Sequence, residues 1–326
     1  MDVIGAIKKN RFVVVGRVGM DLFPPAGVAM EDVASFSADM GGSSANIAAG
    51  IVKLGGQASL VTRVSDDAVG RFCVKKLGEY GVGTQHVMVV GGEHRTSLAL
   101  YESRIEGHQS VIYRNGAADF EMSVQDVEAV EYSQFGALIT AGTVFASEPS
   151  RSATFRAFEL AREAGLPIIF DVDYRPYSWP SPQVAQEVLS RAGALSDVIV
   201  GNDDEFGFMA GDKAKGLDMA RQLATTSASI VVYKMGEQGA VTFHDGTERR
   251  SGIYPVTALK PTGAGDSFMA GFLSSLADGH EMDAAVLRGS ACAAIVVAKP
   301  GCAPAMPNPE DLQKFLTDHA GPTEPT

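Results

Sequence analysis

The chain has 326 residues, 45% hydrophobic and 20% charged, which is enough to bury a large core and too apolar for a disordered polymer. Its formal net charge of −12 excludes broad nucleic-acid binding, which needs a basic surface, but leaves room for an anionic ligand held by a local arginine cluster. Cys73, Cys292 and Cys302 are wrongly spaced for a zinc site and odd in number for a disulfide framework, so they read as small buried thiols.

The opening stretch, MDVIGAIKKNRFVVVG, lacks the order of charge, apolar run and small-residue cleavage site of a signal peptide. No apolar run reaches the roughly 20 residues that span a bilayer, so a cytoplasmic protein with no membrane partner is expected. The first strand is predicted at 12–15. Residues 21–40 show no helical pattern. Ile47, Ile51 and Leu54 fall at helical spacing within 43–54, and Gly55 follows as a stop. A strand is predicted at 59–64 and a helix at 68–80, closed by Gly81. Residues 96–101 and 109–113 read as two strands about a polar turn at 102–108, a hairpin signal. Strands then follow at 137–140, 167–172, 198–200, 230–234 and 240–243, with a helix at 149–164 before Gly165. This βαβα order predicts an α/β protein with a mostly parallel sheet covered by helices on both faces. Ligands of such sheets bind at the carboxyl ends of the strands. The two stretches that break the rhythm, about 19–40 and 92–120, are expected to form a small β substructure inserted in one domain spanning 1–326.

The stretch KPTGAGDSF, 260–268, opens another helix, with Phe268, Phe272 and Leu276 at four-residue spacing before Gly279. Gly263, Ala264, Gly265 and Asp266 therefore sit at a helix N-terminus, where the first amides have no internal partner and the dipole favours negative charge. Small residues let an anion approach those amides, and the carboxylate could take a proton from a hydroxyl held beside it. Together these are what phosphoryl transfer to an alcohol requires. A glycine-rich turn with an ordinary capping aspartate is the plainer alternative. A dinucleotide fingerprint fits poorly, because Phe268 stands where its third glycine belongs, and no glycine-rich loop ends in the Lys-Ser or Lys-Thr of a P-loop.

Four motifs in order carry a resemblance over nearly the whole chain. Thr262-Gly263-Ala264-Gly265-Asp266 resembles the C-terminal signature of the ribokinase-like (PfkB) carbohydrate kinases, and Asp39 to Asn46, with its Gly41-Gly42 pair, resembles their N-terminal one. Asn202-Asp203-Asp204-Glu205 is similar to their Asn-x-x-Glu, and Lys234 to Gly239 to their Lys-x-Gly-x-x-Gly. The resemblance implies a ribokinase-like three-layer fold with a small β lid, and an ATP-dependent kinase. Asp266 would be the base, and the amides of Gly263, Ala264 and Gly265 would stabilise the transferred phosphoryl group. Asn202 and Glu205 would hold Mg2+ through water. Asp21 and Asn46 would bind substrate hydroxyls, and Gly41 and Gly42 would let the substrate approach the backbone. Lys234, Gly236, Gly239 and Thr262 would lie beside the nucleotide. The lid implies a homodimer contact in some members. Pro261-Thr262 replaces the family's usual Asp-Thr. That departure puts the contacts just upstream in question, including a loop that holds a monovalent cation such as K+ in some members.

Asp171-Val172-Asp173-Tyr174-Arg175-Pro176 follows an apolar strand and resembles a segment of the family's sugar-acid kinases, in which the arginine meets the substrate carboxylate. A guanidinium fork suits a carboxylate because it makes two parallel hydrogen bonds. Tyr113, Arg114 and Arg95, on the lid strands, are further candidate contacts, and a structural ion pair is the plainer reading of Arg175. Stretches 16–22, 39–50, 95–104, 113–120 and 301–307 are similar to one branch, which phosphorylates the terminal 6-hydroxyl of 5-dehydro-2-deoxy-D-gluconate in myo-inositol catabolism. Kinases of 2-keto-3-deoxygluconate and of fructose stay open as neighbouring readings. A catalytically silent sensor of sugar acids or nucleotides is the reading from another class.

Overall fold

The computed structural model describes residues 1–25, 27–101 and 110–324. In chain order its strands are β1 (Arg11–Val15), β2 (Gly19–Phe23), β3 (Ser37–Gly41), β4 (Gln57–Ser65), β5 (Gly83–Val90), β6 (Ser97–Tyr101), β7 (Ser110–Tyr113), β8 (Ala137–Ala141), β9 (Ile168–Asp171), β10 (Val198–Asn202), β11 (Ile230–Lys234), β12 (Ala240–His244) and β13 (Thr247–Ser251). The helices are α1 (Val3–Ile7), α2 (Ser43–Lys53), α3 (Ala68–Glu79), α4 (Val124–Glu128), α5 (Ser150–Glu163), α6 (Pro182–Ala194), α7 (Asp203–Ala210), α8 (Gly216–Thr226), α9 (Ala264–Ala277), α10 (Met282–Val297) and α11 (Pro309–Asp318).

Nine strands form one sheet in the order β13-β12-β11-β10-β9-β8-β1-β4-β5, parallel from β11 to β5 and antiparallel at β12 and β13. Side chains alternate across a strand, so β1 sends Phe12 and Val14 to one face and Val13 and Val15 to the other, all fully buried. The first face packs against α2, α3, α9 and α10, the second against α5, α6 and α8. Helices on both faces explain why the central strands are continuous apolar runs rather than alternating ones.

The irregular stretches form a second sheet, in the order β3-β2-β6-β7. The anticipated hairpin is its β6–β7 pair, antiparallel from Leu98↔Tyr113 to Tyr101↔Ser110; its turn at 102–108 lies outside the described residues. β5 and β13 were not legible as strands. β13, Thr-Glu-Arg-Arg-Ser, is polar and exposed, and β5 alternates irregularly. Each is an edge strand with one hydrogen-bonded neighbour, so neither needs the apolar pattern that marks a buried strand.

β1 is the switch point of the large sheet: the chain leaves it for β4 and β5 on one side and later returns to β8 on the other. The crevice at the carboxyl ends of β1, β8, β9, β10 and β11 is where such a sheet binds ligands.

Candidate active site

A cavity of about 690 Å³ occupies that crevice. Its floor is the N-terminus of α9, with Thr262, Gly263, Ala264, Gly265 and Asp266 all in the wall. Gly263 caps α9 in the left-handed region, at φ 85°, and a Cβ there would sit 3.0 Å from the Cys302 sulfur. Gly42 likewise caps α2 at φ 100°, and its Cβ would stand 2.5 Å from the Arg17 carbonyl oxygen. Both positions need glycine, for backbone conformation and for space. Two helices thus start at one cavity, although the Ala45 amide donates to the Arg17 carbonyl at 3.3 Å and the Ala264 amide to the Pro261 carbonyl at 3.4 Å.

Asn46, in the first turn of α2, donates from Nδ2 to Asp266 Oδ2 at 2.8 Å, joining residues 220 apart in the chain. Its Oδ1 is buried without a hydrogen-bond partner among the described residues. An asparagine inside a helix costs stability unless it is used, and this contact uses it. Burial pushes the Asp266 carboxyl up to about 6; Asp173 adds to the rise, while the Asn46 bond, Arg175 and Lys234 oppose it. A carboxylate in that range is ionised at neutral pH and basic enough to take a proton.

Asn202 ends β10 and Lys234 ends β11, directly paired in register. Asn202 also caps α7 in a reciprocal capping box: its Oδ1 accepts from the Glu205 amide and Glu205 Oε2 accepts from the Asn202 amide, both at 2.8 Å. The plain capping role is therefore realised, yet both residues also line the cavity. Burial raises the Glu205 and Asp171 carboxyls above their ordinary range, with Lys234 opposing in each case. Gly236 and Gly239, at φ 58° and 86°, shape the tight turn after β11, and a Cβ on Gly239 would strike the Ser251 carbonyl oxygen.

Among the described residues three arginines reach the cavity: Arg17, Arg114 and Arg175. Arg175 pairs with Asp173 at 2.7 Å and lies 3.7 Å from Glu205, as the ion-pair reading anticipated. Asp173, at φ 34°, also accepts from Ser43 at 2.6 Å and Thr143 at 3.2 Å. Burial opposes the Asp173 charge, but Arg175 and these hydroxyls hold its carboxyl below the usual range. Arg114 pairs with Asp119, donates to the Thr143 carbonyl at 3.0 Å and lies over the Phe120 ring.

Four expected site residues are not in the cavity wall. Arg95 has a side chain 64% exposed and donates to the Gly92 and His94 carbonyls. Tyr113 is 60% exposed, because alternation along β7 turns its neighbour Ile112 inward instead. Asp21 is 1% exposed, and a Cβ on Gly41 would stand about 2.0 Å from its carboxylate. Gly41 therefore makes room for Asp21 and not directly for a ligand. Burial pushes the Asp21 carboxyl up to about 7 against the pull of Arg17, and its Oδ1 has no hydrogen-bond partner among the described residues.

Residues 9–309 match the profile described as pfkB family carbohydrate kinase. The chain belongs to that family. This pfkB-family kinase is 36% identical over 310 residues to the 5-dehydro-2-deoxygluconokinase of Photobacterium profundum, across 93% of this chain and 94% of that one. It is 34% identical over 314 residues to the 5-dehydro-2-deoxygluconokinase of Geobacillus kaustophilus, across 94% of each. The crystal structure of a fructokinase from Vibrio cholerae O395, in a fructose, ADP and calcium ion bound form, superposes with a TM-score of 0.82 at 26% identity, over 94% of this chain and 99% of that one. Sequence reasoning missed Arg17, Tyr101, Ser43 and Thr143 in the wall of the kinase cavity. An arginine two residues past a strand carries no signal of its own; only the fold turns it inward.

Proposed function

We propose that this kinase transfers the γ-phosphoryl group of ATP to the terminal 6-hydroxyl of 5-dehydro-2-deoxy-D-gluconate. The observation that carries the reading is Asp266, held by Asn46 at the N-terminus of α9, on the floor of a cavity whose wall, among the described residues, holds three arginines. The names of the relatives at 34–36% identity support the choice of sugar acid.

In this reading Asp266 takes the proton as the 6-oxygen forms its bond to phosphorus and the bond to the β-phosphate oxygen breaks, releasing ADP. The amides of Gly263, Ala264 and Gly265 receive the charge on the transferring group. Asn46 offers its unpartnered Oδ1 to a substrate hydroxyl, Asp21 reaches the substrate from behind the wall, and Gly41 and Gly42 keep that approach open. Lys234, Gly236, Gly239 and Thr262 flank the nucleotide. The small sheet is the lid that excludes water.

Among the described residues no group of three acidic, histidine or cysteine side chains could hold a metal directly. Asn202 and Glu205 fit a magnesium ion carried by the nucleotide and reached through water, as such ions keep much of their hydration. When bound it would neutralise charge on the phosphates. A potassium site fits less well. The Lys260 ammonium already donates to the carbonyls of Thr262 at 2.6 Å and Val296 at 3.4 Å, so the loop before Gly263 brings its own cation.

The test is ATP consumption by the purified protein with magnesium on 5-dehydro-2-deoxygluconate, 2-keto-3-deoxygluconate and fructose. The expected result is a clear kcat/KM preference for the first. Preference for the second moves the substrate and keeps the mechanism. Preference for fructose overturns the sugar-acid reading, and nucleotide binding without turnover on any of them turns the protein into a sensor.

A further inference from the structure

The three arginines of the cavity differ in one respect that their positions in the sequence hide. Arg175 is neutralised by Asp173 and Glu205, and Arg114 by Asp119. Arg17 is 6% exposed and has no carboxylate within ion-pair reach among the described residues. Among those residues its guanidinium makes one hydrogen bond, from Nη1 to the Ser97 hydroxyl at 2.7 Å. A guanidinium carries five N–H donors, so most of its donor capacity stays free. Burial opposes its charge, but Tyr101 and the carboxylates of Asp21, Asp119 and Asp173 favour it from beyond ion-pair distance, so what Arg17 lacks is partners for its donors, and it stands in the wall of the ligand cavity.

The local structure fixes Arg17 there. It follows β1 immediately after Gly16, at the switch point of the large sheet. Its carbonyl accepts from the Ala45 amide, which ties the backbone to the first turn of α2, one residue from Asn46. Ser97, at the start of β6, holds the guanidinium from the small sheet. Arg17 thus spans the two sheets on the α2 side of the cavity.

We propose that Arg17, rather than Arg175 or Arg114, binds the carboxylate of the sugar acid and so sets the specificity for an acid over a neutral sugar. The proposal rests on the sugar-acid reading above. The fork of the guanidinium matches a carboxylate with two parallel hydrogen bonds, and the ligand fills donor positions that the protein leaves free. Arg175 and Arg114 would each have to give up an internal ion pair to do the same, and Arg17 gives up none.

The experiment measures KM for the sugar acid and for ATP, and the preference for the acid over fructose, in wild type, Arg17→Met, Arg17→Lys and Arg175→Met. For Arg17→Met a rise of about 100-fold in KM for the acid is expected, the scale of losing one partner of a desolvated charge pair, with KM for ATP within about twofold of wild type. Arg17→Lys keeps the charge and loses the fork, so a rise of about tenfold is expected. Arg175→Met should move KM for the acid less than Arg17→Met. An unchanged KM for the acid in Arg17→Met overturns the proposal, and so does an equal rise in both KM values, which marks a structural role. If Arg17→Met does not fold, Arg17→Lys decides by the same two criteria. A wild type with no preference for the acid over fructose removes the sugar-acid reading itself. A wild type that prefers the acid, with variants that keep that preference, sinks the role of Arg17 alone.

Discussion

Asp266 sits between opposing demands. Burial and the neighbouring Asp173 push its carboxyl upward, and Asn46, Arg175 and Lys234 pull it back, with about 6 as the outcome. At neutral pH roughly nine in ten molecules then carry Asp266 ionised, as the proposed base must be. Below about pH 6 the expected kcat/KM for the sugar falls about tenfold per pH unit, because the protonated carboxyl cannot accept the proton of the hydroxyl. Asp266→Asn should lower kcat by about 10²- to 10⁴-fold, while substrate binding survives. Stability should move the other way. The folded carboxyl is raised, so its stabilising contribution is complete below about pH 4 and lost as pH rises through about 6. The asparagine variant lacks that loss and should melt no lower than wild type at pH 7. A pH–rate profile beside a thermal melt checks both, and near-normal turnover in the variant would remove Asp266 from the role of base. Of these residues, Asp266 and Asn46 were legible: one at a glycine-rich helix start, the other a costly asparagine inside a helix. Arg17 was not, since its meaning depends on which carboxylates its neighbours have already claimed.

At the scale of elements, α2 and α9 share one device. Each opens on a glycine with positive φ, so neither helix start carries a side chain over its amides. Gly263→Ala tests how much of the chemistry depends on it. The alanine must adopt φ 85° and place its Cβ 3.0 Å from the Cys302 sulfur. A loss of about 1–3 kcal/mol in stability is expected from the strained backbone, read by urea denaturation. The kinetic loss should fall on kcat more than on the KM of the sugar, because in the proposed mechanism the displaced amides face the transferring phosphoryl group. Equal kcat with lower stability would show that the turn is structural only. Helices with glycine stops, such as α2, α3 and α5, could be placed from the sequence to within a residue or two. The central strands could be placed as well, because burial on both faces writes them in apolar residues. The edge strands β5 and β13 could not, because backbone pairing with a single neighbour defines them.

The whole molecule brings together residues that the chain keeps far apart. Asn46 and Asp266 meet across 220 positions, and Asn202 and Lys234 meet by register. The order of four short motifs announced this meeting, as did the βα alternation that places strand ends on one edge. The division of charge inside the cavity was invisible until the fold was known. A net charge of −12 surrounds a pocket whose wall, among the described residues, holds three guanidinium groups, two of them in ion pairs with acidic side chains of the protein itself.

The three buried thiols give this architecture a clock. Burial pushes Cys73 and Cys292 up to about 12 and holds Cys302 higher still, so none carries useful thiolate at neutral pH while the fold is closed. Alkylation therefore waits for each region to open, and each cysteine times a different one. Cys73 lies in α3, Cys292 in α10, and Cys302 under the Gly263 turn. Iodoacetamide labelling followed by mass spectrometry should find all three slow, and a bound nucleotide should slow Cys302 most, since a ligand that favours the closed state suppresses opening in proportion to its saturation. Cys302 reacting as fast as a free thiol would mean that the Gly263 turn breathes open continually. The rate at that one sulfur thus measures how long the turn stays assembled between catalytic cycles.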